Sequence, residues 1–170
     1  MRFLGTRSGA LAALAVALMA IATPTTAQEW VSSPTPLQAS NGNRACILFS
    51  GEAPPLVGVQ VYADYAHLVM MADELRGISN GYDATLAFPS GAAAPVALFK
   101  TSVDSDVALV RLSRNAGAQA VDLDAMTDQF TVTGTFSVSG EGLHVEVGPL
   151  PDATVPIASL QTCLRELDNG

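Results

Sequence analysis

Reactive side chains are scarce in this chain. Its 170 residues include two histidines, two cysteines and one tryptophan, and Lys100 is the single lysine. A nucleophilic or metal-based mechanism would have to use His67, His144 or both. No Gly-x-Ser-x-Gly elbow, His-Glu-x-x-His pair, phosphate-cradling glycine loop or dinucleotide fingerprint occurs. Ser137 and Ser139 fall on an expected strand with no partner histidine identifiable, so the reading of an enzyme has no motif behind it. Cys46 and Cys163 do not form a Cys-x-x-Cys arrangement. Neither has a neighbouring His or Lys to stabilise a thiolate, which argues against redox chemistry. After residue 27 there is no internal repeat, no low-complexity tract and no apolar run of the ~20 residues that a membrane span needs.

Basic residues are few as well: eight Lys and Arg stand against sixteen Asp and Glu. Met1 to about Ala27 reads as a secretory signal, with Arg2 and Arg7 at its start, an unbroken apolar run from Ala10 to Ala22, and Thr25-Thr26-Ala27 as a small-residue cleavage site. No cysteine follows that site to carry a lipid anchor. The signal holds two of the eight basic residues and none of the acidic ones, so Gln28 to Gly170 carries six basic and sixteen acidic residues, a formal charge of −10. Such a surface repels nucleic acid and anionic membranes, because phosphate binding rests on clustered Lys and Arg. Acidity keeps an exported protein soluble; it also offers charge to a basic partner or a divalent cation. A cysteine pair in an exported chain points to a disulfide, which persists in the periplasm or outside the cell. The length after residue 27 suits one domain with its own core.

Along that domain, residues 28–43 pass from Glu29-Trp30-Val31 through Pro34 and Pro36 to Asn41-Gly42-Asn43, and read as a tether into the core at residues 44–170. Ala45 to Phe49 is a short apolar run, a buried strand; Val57, Val59 and Val61 alternate as a half-buried one. Residues 62–76 admit two readings. Tyr65, Leu68, Ala72 and Leu75 share a helical face, and Gly77 stands where a left-handed cap belongs, whereas the surrounding β pattern favours a strand over His67 to Met71. Strands are expected at Ala84–Phe88, and at Val96–Phe99 and Val107–Leu112 as a pair joined across Asp104-Ser105-Asp106. A short helix is expected at Ala120–Met126. Phe130 and Val132 to Val138 alternate, Gly140-Glu141-Gly142 turns, and Leu143, Val145 and Val147 alternate again as a hairpin. Ile157, Leu160, Leu164 and Leu167 then recur at helical steps over Pro156–Leu167, with Cys163 beside that stripe. The expected fold is mainly β, an antiparallel sandwich or barrel-like sheet with a C-terminal α-helix, closed by a disulfide between Cys46 and Cys163. Closing so long a loop removes roughly 4 to 5 kcal/mol of unfolded-state entropy on the chain-entropy account.

Two sets of residues invite a metal reading. His67, Met70 and Met71 combine imidazole and thioether, the donors that suit copper. On a strand His67 and Met70 point to opposite faces, and Met71 lies roughly 13 Å further along at about 3.3 Å per residue, so the three converge only on a helix. Asp122, Asp124 and Asp128 have the acidic spacing of a calcium loop but lack its turn glycine and distal glutamate. Core packing for the methionines and solvated turn or cap positions for the carboxylates are the simpler readings, and no cofactor is implied. His144 falls opposite Leu143, Val145 and Val147, facing solvent with Glu146.

The early Trp30, a polar stretch, and Cys46 opening the apolar Ala45-Cys46-Ile47-Leu48 resemble the start of exported bacterial β domains of the invasion-associated-locus-B type. Ser32-Ser33 stands where that pattern has a further cysteine, and Cys163 has no counterpart in it. The resemblance implies a secreted sandwich-like domain that acts by binding in the envelope. The expected function is accordingly a non-enzymatic, protein-binding domain or accessory subunit of an envelope assembly, periplasmic or secreted. The alternative is a carrier of a small ligand, copper or calcium.

Overall fold

Aliphatic alternation is realised as two antiparallel sheets. The computed structural model describes residues 29–39, 41–114 and 121–169; the expected signal and Ala120, the start of the expected short helix, lie outside them. The strands are β1 (Val31–Ser32), β2 (Leu37–Gln38), β3 (Arg44–Phe49), β4 (Leu56–Val61), β5 (Ala66–Met71), β6 (Tyr82–Ala87), β7 (Ala93–Leu98), β8 (Val107–Leu112), β9 (Gly134–Gly140) and β10 (Leu143–Leu150). The described residues also form two helices, α1 (Leu123–Phe130) and α2 (Thr154–Asp168), and a 3-10 turn at Asp73–Leu75. The first sheet runs β1-β3-β4-β5-β8, with β2 also on β3; the second runs β10-β9-β6-β7.

Residues 29–39, read as part of a tether, are built into the first sheet. Val31 pairs with Phe49 and Leu37 with Ala45, so the chain runs antiparallel to β3 in two short pieces. Trp30 anchors them: its indole N–H donates to the Pro151 carbonyl at 2.6 Å, and its ring lies 4.8 Å from that of Phe130.

Residues 62–76 are a strand followed by a turn, not a helix. Six successive pairs join β4 to β5 and six more join β5 to β8, so two ladders satisfy the β5 backbone. A helix there would leave both neighbours with open edges, which is why the ladders override the local helical signals. Gly77 does adopt a positive φ of 83°, but it follows the 3-10 turn rather than a helix.

Val96–Phe99 and Val107–Leu112 are not a strand pair. β7 pairs with β6 in the second sheet and β8 with β5 in the first. Among the described residues the backbone bridge between them is at Phe99, just after β7, and Leu109, which exchange N–H···O bonds of 2.8 Å in each direction. That one bridge joins the sheets along this side. Phe130, expected in a strand with Val138, instead ends α1, and β9 begins at Gly134. Asp122 caps α1 by accepting from the Ala125 N–H at 2.8 Å, a carboxylate over the open amides of the first turn. The hairpin of β9 and β10 is as expected, with Leu143 opposite Gly140 across Glu141-Gly142.

One core lies between the sheets. Cys46 and Leu48, then Val57, Val59 and Val61, then Ala66, Leu68 and Met70, then Ala108, Val110 and Leu112 face it from the first sheet. Leu86, Phe136, Val138, Val145 and Val147 face it from the second. α2 packs on β1 and β3, with Ile157, Leu160, Cys163 and Leu167 buried and Leu164 half-buried. Cys163 is thus in the stripe, and its sulfur bonds that of Cys46 with their Cα atoms 5.9 Å apart and 117 residues between them in sequence.

Candidate functional site

Alternation sends every second residue of the first sheet away from the core, and there its composition is unusual. Strand registers place Phe49, Gly58, Val69, Leu109 and Phe99 in one row across β3, β4, β5, β8 and the residue after β7. A second row, two pairs further along, is Ile47, Gln60, His67 and Arg111. A third, on the other side, is Leu56, Met71 and Val107. Two of the three rows are apolar. Val69 and Leu56 are buried beneath their neighbours, Phe49, Met71, Val107 and Leu109 are half-buried, and Phe99 is 46% exposed. Of the row residues on this face, none belongs to the central core cluster. Outside the first sheet, the elements in close contact with it are α2, on β1 and β3, the end of β7, on β8, and β10, on β4.

The face is tightly built at its centre. Gly58 leaves room for the Phe49 ring: a Cβ at Gly58 would come within 2.4 Å of Phe49 Cδ1 and 2.1 Å of the Leu48 carbonyl oxygen. The ring therefore covers the β4 backbone and walls one side of Val69.

At one end of the face the rows run into an aromatic corner. Tyr65, just before β5, shares the parity of His67, and their ring centroids are 5.1 Å apart. Tyr62 stacks on Tyr65 at 4.5 Å with planes 27° apart. Burial, then the neighbouring Tyr65, raises the Tyr62 phenol above its ordinary 10.0, against a lowering hydrogen bond from the Asn41 side chain. Burial, and after it the positive charge of Arg111, holds the His67 imidazole below its ordinary 6.5. His67 is accordingly uncharged at neutral pH, and Arg111 is the cation of this row.

Tyr65, Ala63 and Asp64 separate two open clefts. One, of about 670 Å³, is lined in addition by Arg111, Leu112, Ser113 and Arg114. The other, of about 320 Å³, adds Gly42, Asn43, Arg44, Tyr62 and Leu167. Three of the six basic residues after residue 27 thus surround one tyrosine. They are not equivalent. Arg114 is committed to the fold, donating to the Ala63 carbonyl and to both Asp168 carboxylate oxygens at 2.9 and 3.2 Å. Arg76 pairs with Asp73 and Asp106, and Lys100 donates to the Leu75 and Val103 carbonyls. Arg165 bonds Thr162. Among the described residues Arg44 and Arg111 have no carboxylate partner within ion-pair distance.

The residues singled out for metals are not brought together. β5 sends His67 to the outer face, Met70 into the core at 1% exposure, and Met71 to the outer face four pairs away. Asp122 is the α1 cap, while Asp124 and Asp128 are exposed along the helix. Among the described residues no three His, Cys, Asp or Glu side chains are placed to hold one ion. Asp104-Ser105-Asp106 is occupied by Arg76, which donates to the Asp104 carbonyl and the Asp106 carboxylate. His144 is exposed, its Nε2 lying 3.7 Å from Glu146 Oε2.

Sequence reasoning missed the corner of Tyr62, Tyr65 and Arg111. Tyr65 and His67 at i and i+2 are one face of a strand, a signal available once β5 is known; Arg111 enters only through the pairing of β5 with β8. No family model matches this chain, and no curated sequence or solved structure is found to be similar to it.

Proposed function

We propose that this protein is a binding domain, not a catalyst, that works in an oxidising compartment outside the cytoplasm and docks a protein partner on the outer face of its first sheet. The observation that carries this reading is the apolar row Phe49–Val69–Leu109–Phe99 on the side of the first sheet away from the core, ending in an exposed Phe99 and bordered by Arg111. A contiguous apolar patch rimmed by polar groups is how a docking site presents itself on a domain that otherwise stays in solution. Charge supports the choice of partner. In a chain of −10 after residue 27, this end of the face keeps Arg111 outside any ion pair among the described residues, so it suits an apolar segment that carries a carboxylate. The disulfide and the likeness around Trp30 and Cys46 fit the same reading.

The test is in-situ crosslinking and affinity purification from the native envelope, with wild type beside Phe99→Asp. Phe99 points outward and is 46% exposed, so the variant is expected to keep its fold, with an unfolding midpoint within a few degrees. Wild type is expected to recover one partner in fixed proportion, and the variant about tenfold less, as for a truncated anchor residue. Equal recovery by a folded Phe99→Asp protein removes this face as the docking site.

A small-ligand carrier is the second reading, favoured by the cleft of about 670 Å³ beside Tyr65.

A further inference from the structure

The aromatic corner has a chemistry of its own. Resting on the docking reading above, we propose that the cleft between Tyr65 and Arg111 is a carboxylate-recognition site, which pairs the partner's carboxylate with the Arg111 guanidinium and packs the carbon chain bearing it on the Tyr65 ring.

Four observations converge on it. Arg111 is fixed at the end of the polar row by its pairing with His67, yet its guanidinium has no acidic partner among the described residues, while Arg114 in the same cleft is ion-paired. A guanidinium presents parallel N–H donors that match the two oxygens of a carboxylate. Tyr65 is held by its stack with Tyr62 and its tilted contact with His67, whose own ring lies 6.2 Å from Tyr62, so the three rings brace one another and Tyr65 does not have to be ordered when a ligand arrives. His67 stays neutral beside it and leaves the charge of the site to Arg111.

The charge balance selects the anion. Groups facing the cleft are Arg111, Arg114, already neutralised by Asp168, and Asp64, with Arg44 on the far side of Tyr65. One free guanidinium beside an aspartate accommodates a single negative charge. A phosphate group, with a charge near −2 at neutral pH, would face Asp64 without a second cation on its own side. An arginine at the end of the polar row, beside the apolar one, also fixes register: the partner's apolar side chains lie over Val69, Leu109 and Phe99, and its acidic group reaches Arg111 in the neighbouring row.

The experiment is an NMR titration of the disulfide-bonded protein with four probes: acetyl-Leu-Glu-amide, its Gln counterpart, glucuronate and inorganic phosphate. The Glu peptide is expected to give saturable shifts at Tyr65, His67 and Arg111. The Gln peptide is expected to bind about tenfold or more weakly, the usual effect of removing a charge-assisted bond. Arg111→Gln is expected to erase that difference with the fold retained, and Tyr65→Leu to weaken the Glu peptide several-fold. Equal binding of the Glu and Gln peptides, or an unchanged response in Arg111→Gln, overturns the proposal. Tighter binding of phosphate overturns the choice of anion, and tighter binding of glucuronate makes the source a saccharide instead of a protein. Recovery of the native partner separates this inference from the one it rests on. If recovery falls with Phe99→Asp but not with Arg111→Gln, the docking face stands and the carboxylate site falls.

Discussion

Gly58 shows how one missing methyl group shapes a face. The approach of the Phe49 ring and the Leu48 carbonyl leaves no room for a Cβ at this position, at 2.4 and 2.1 Å respectively. Gly58→Ala would have to push both the ring and the β3 backbone away. A loss of about 1 to 3 kcal/mol is expected, typical of overpacking, read from the urea midpoint. A variant as stable as wild type would mean that Phe49 does not lie over β4. His67 makes a second residue-scale prediction. Its imidazole is held below 6.5 in the folded chain, so the unfolded chain takes up the proton first as the pH falls. Its contribution to stability is therefore complete above about pH 6.5 and is lost as the pH drops through the lowered folded value. Below that value there is no further loss. His67→Gln is expected to flatten the fall in stability between pH 7.5 and 5 relative to wild type, since every other titrating group is common to both proteins. Superimposable pH profiles would contradict it.

At the scale of elements, α2 is the part whose position depends on one covalent bond. Its apolar stripe packs on β1 and β3, and Cys163 within that stripe is joined to Cys46 on β3 across 117 residues of sequence. Nearly the whole described chain lies inside the closed loop, so the bond restricts the unfolded state strongly. Replacing both cysteines by serine is expected to lower the unfolding free energy by about 2 to 5 kcal/mol, with α2 the first element to lose amide protection in hydrogen exchange. Unchanged stability, or loss of the second sheet before α2, would show that packing alone holds the helix. β5 is instructive in the other direction. Its neighbourhood carries the spacing and punctuation of a helix, and it is a strand because β4 and β8 both pair with it. Local propensity is worth tenths of a kcal/mol per residue, whereas unpairing two ladders strands several buried amides and carbonyls.

For the whole molecule, the legible and illegible parts divide by range. Strand alternation in β4, β9 and β10, the helical stripe of α2 and the lone cysteine pair can be read from neighbours in the sequence, because side-chain period and thiol count are local quantities. They determined a mainly β domain with a closing helix and one disulfide. Tertiary structure alone decided that β7 belongs with β6, that the two sheets touch at Phe99 and Leu109, and that His67 and Arg111 end one row beside Tyr65. Alternation says which face a residue takes but not which strand lies beside it. That neighbour is chosen by the packing of the entire chain around one core, and the candidate site is made of such neighbours.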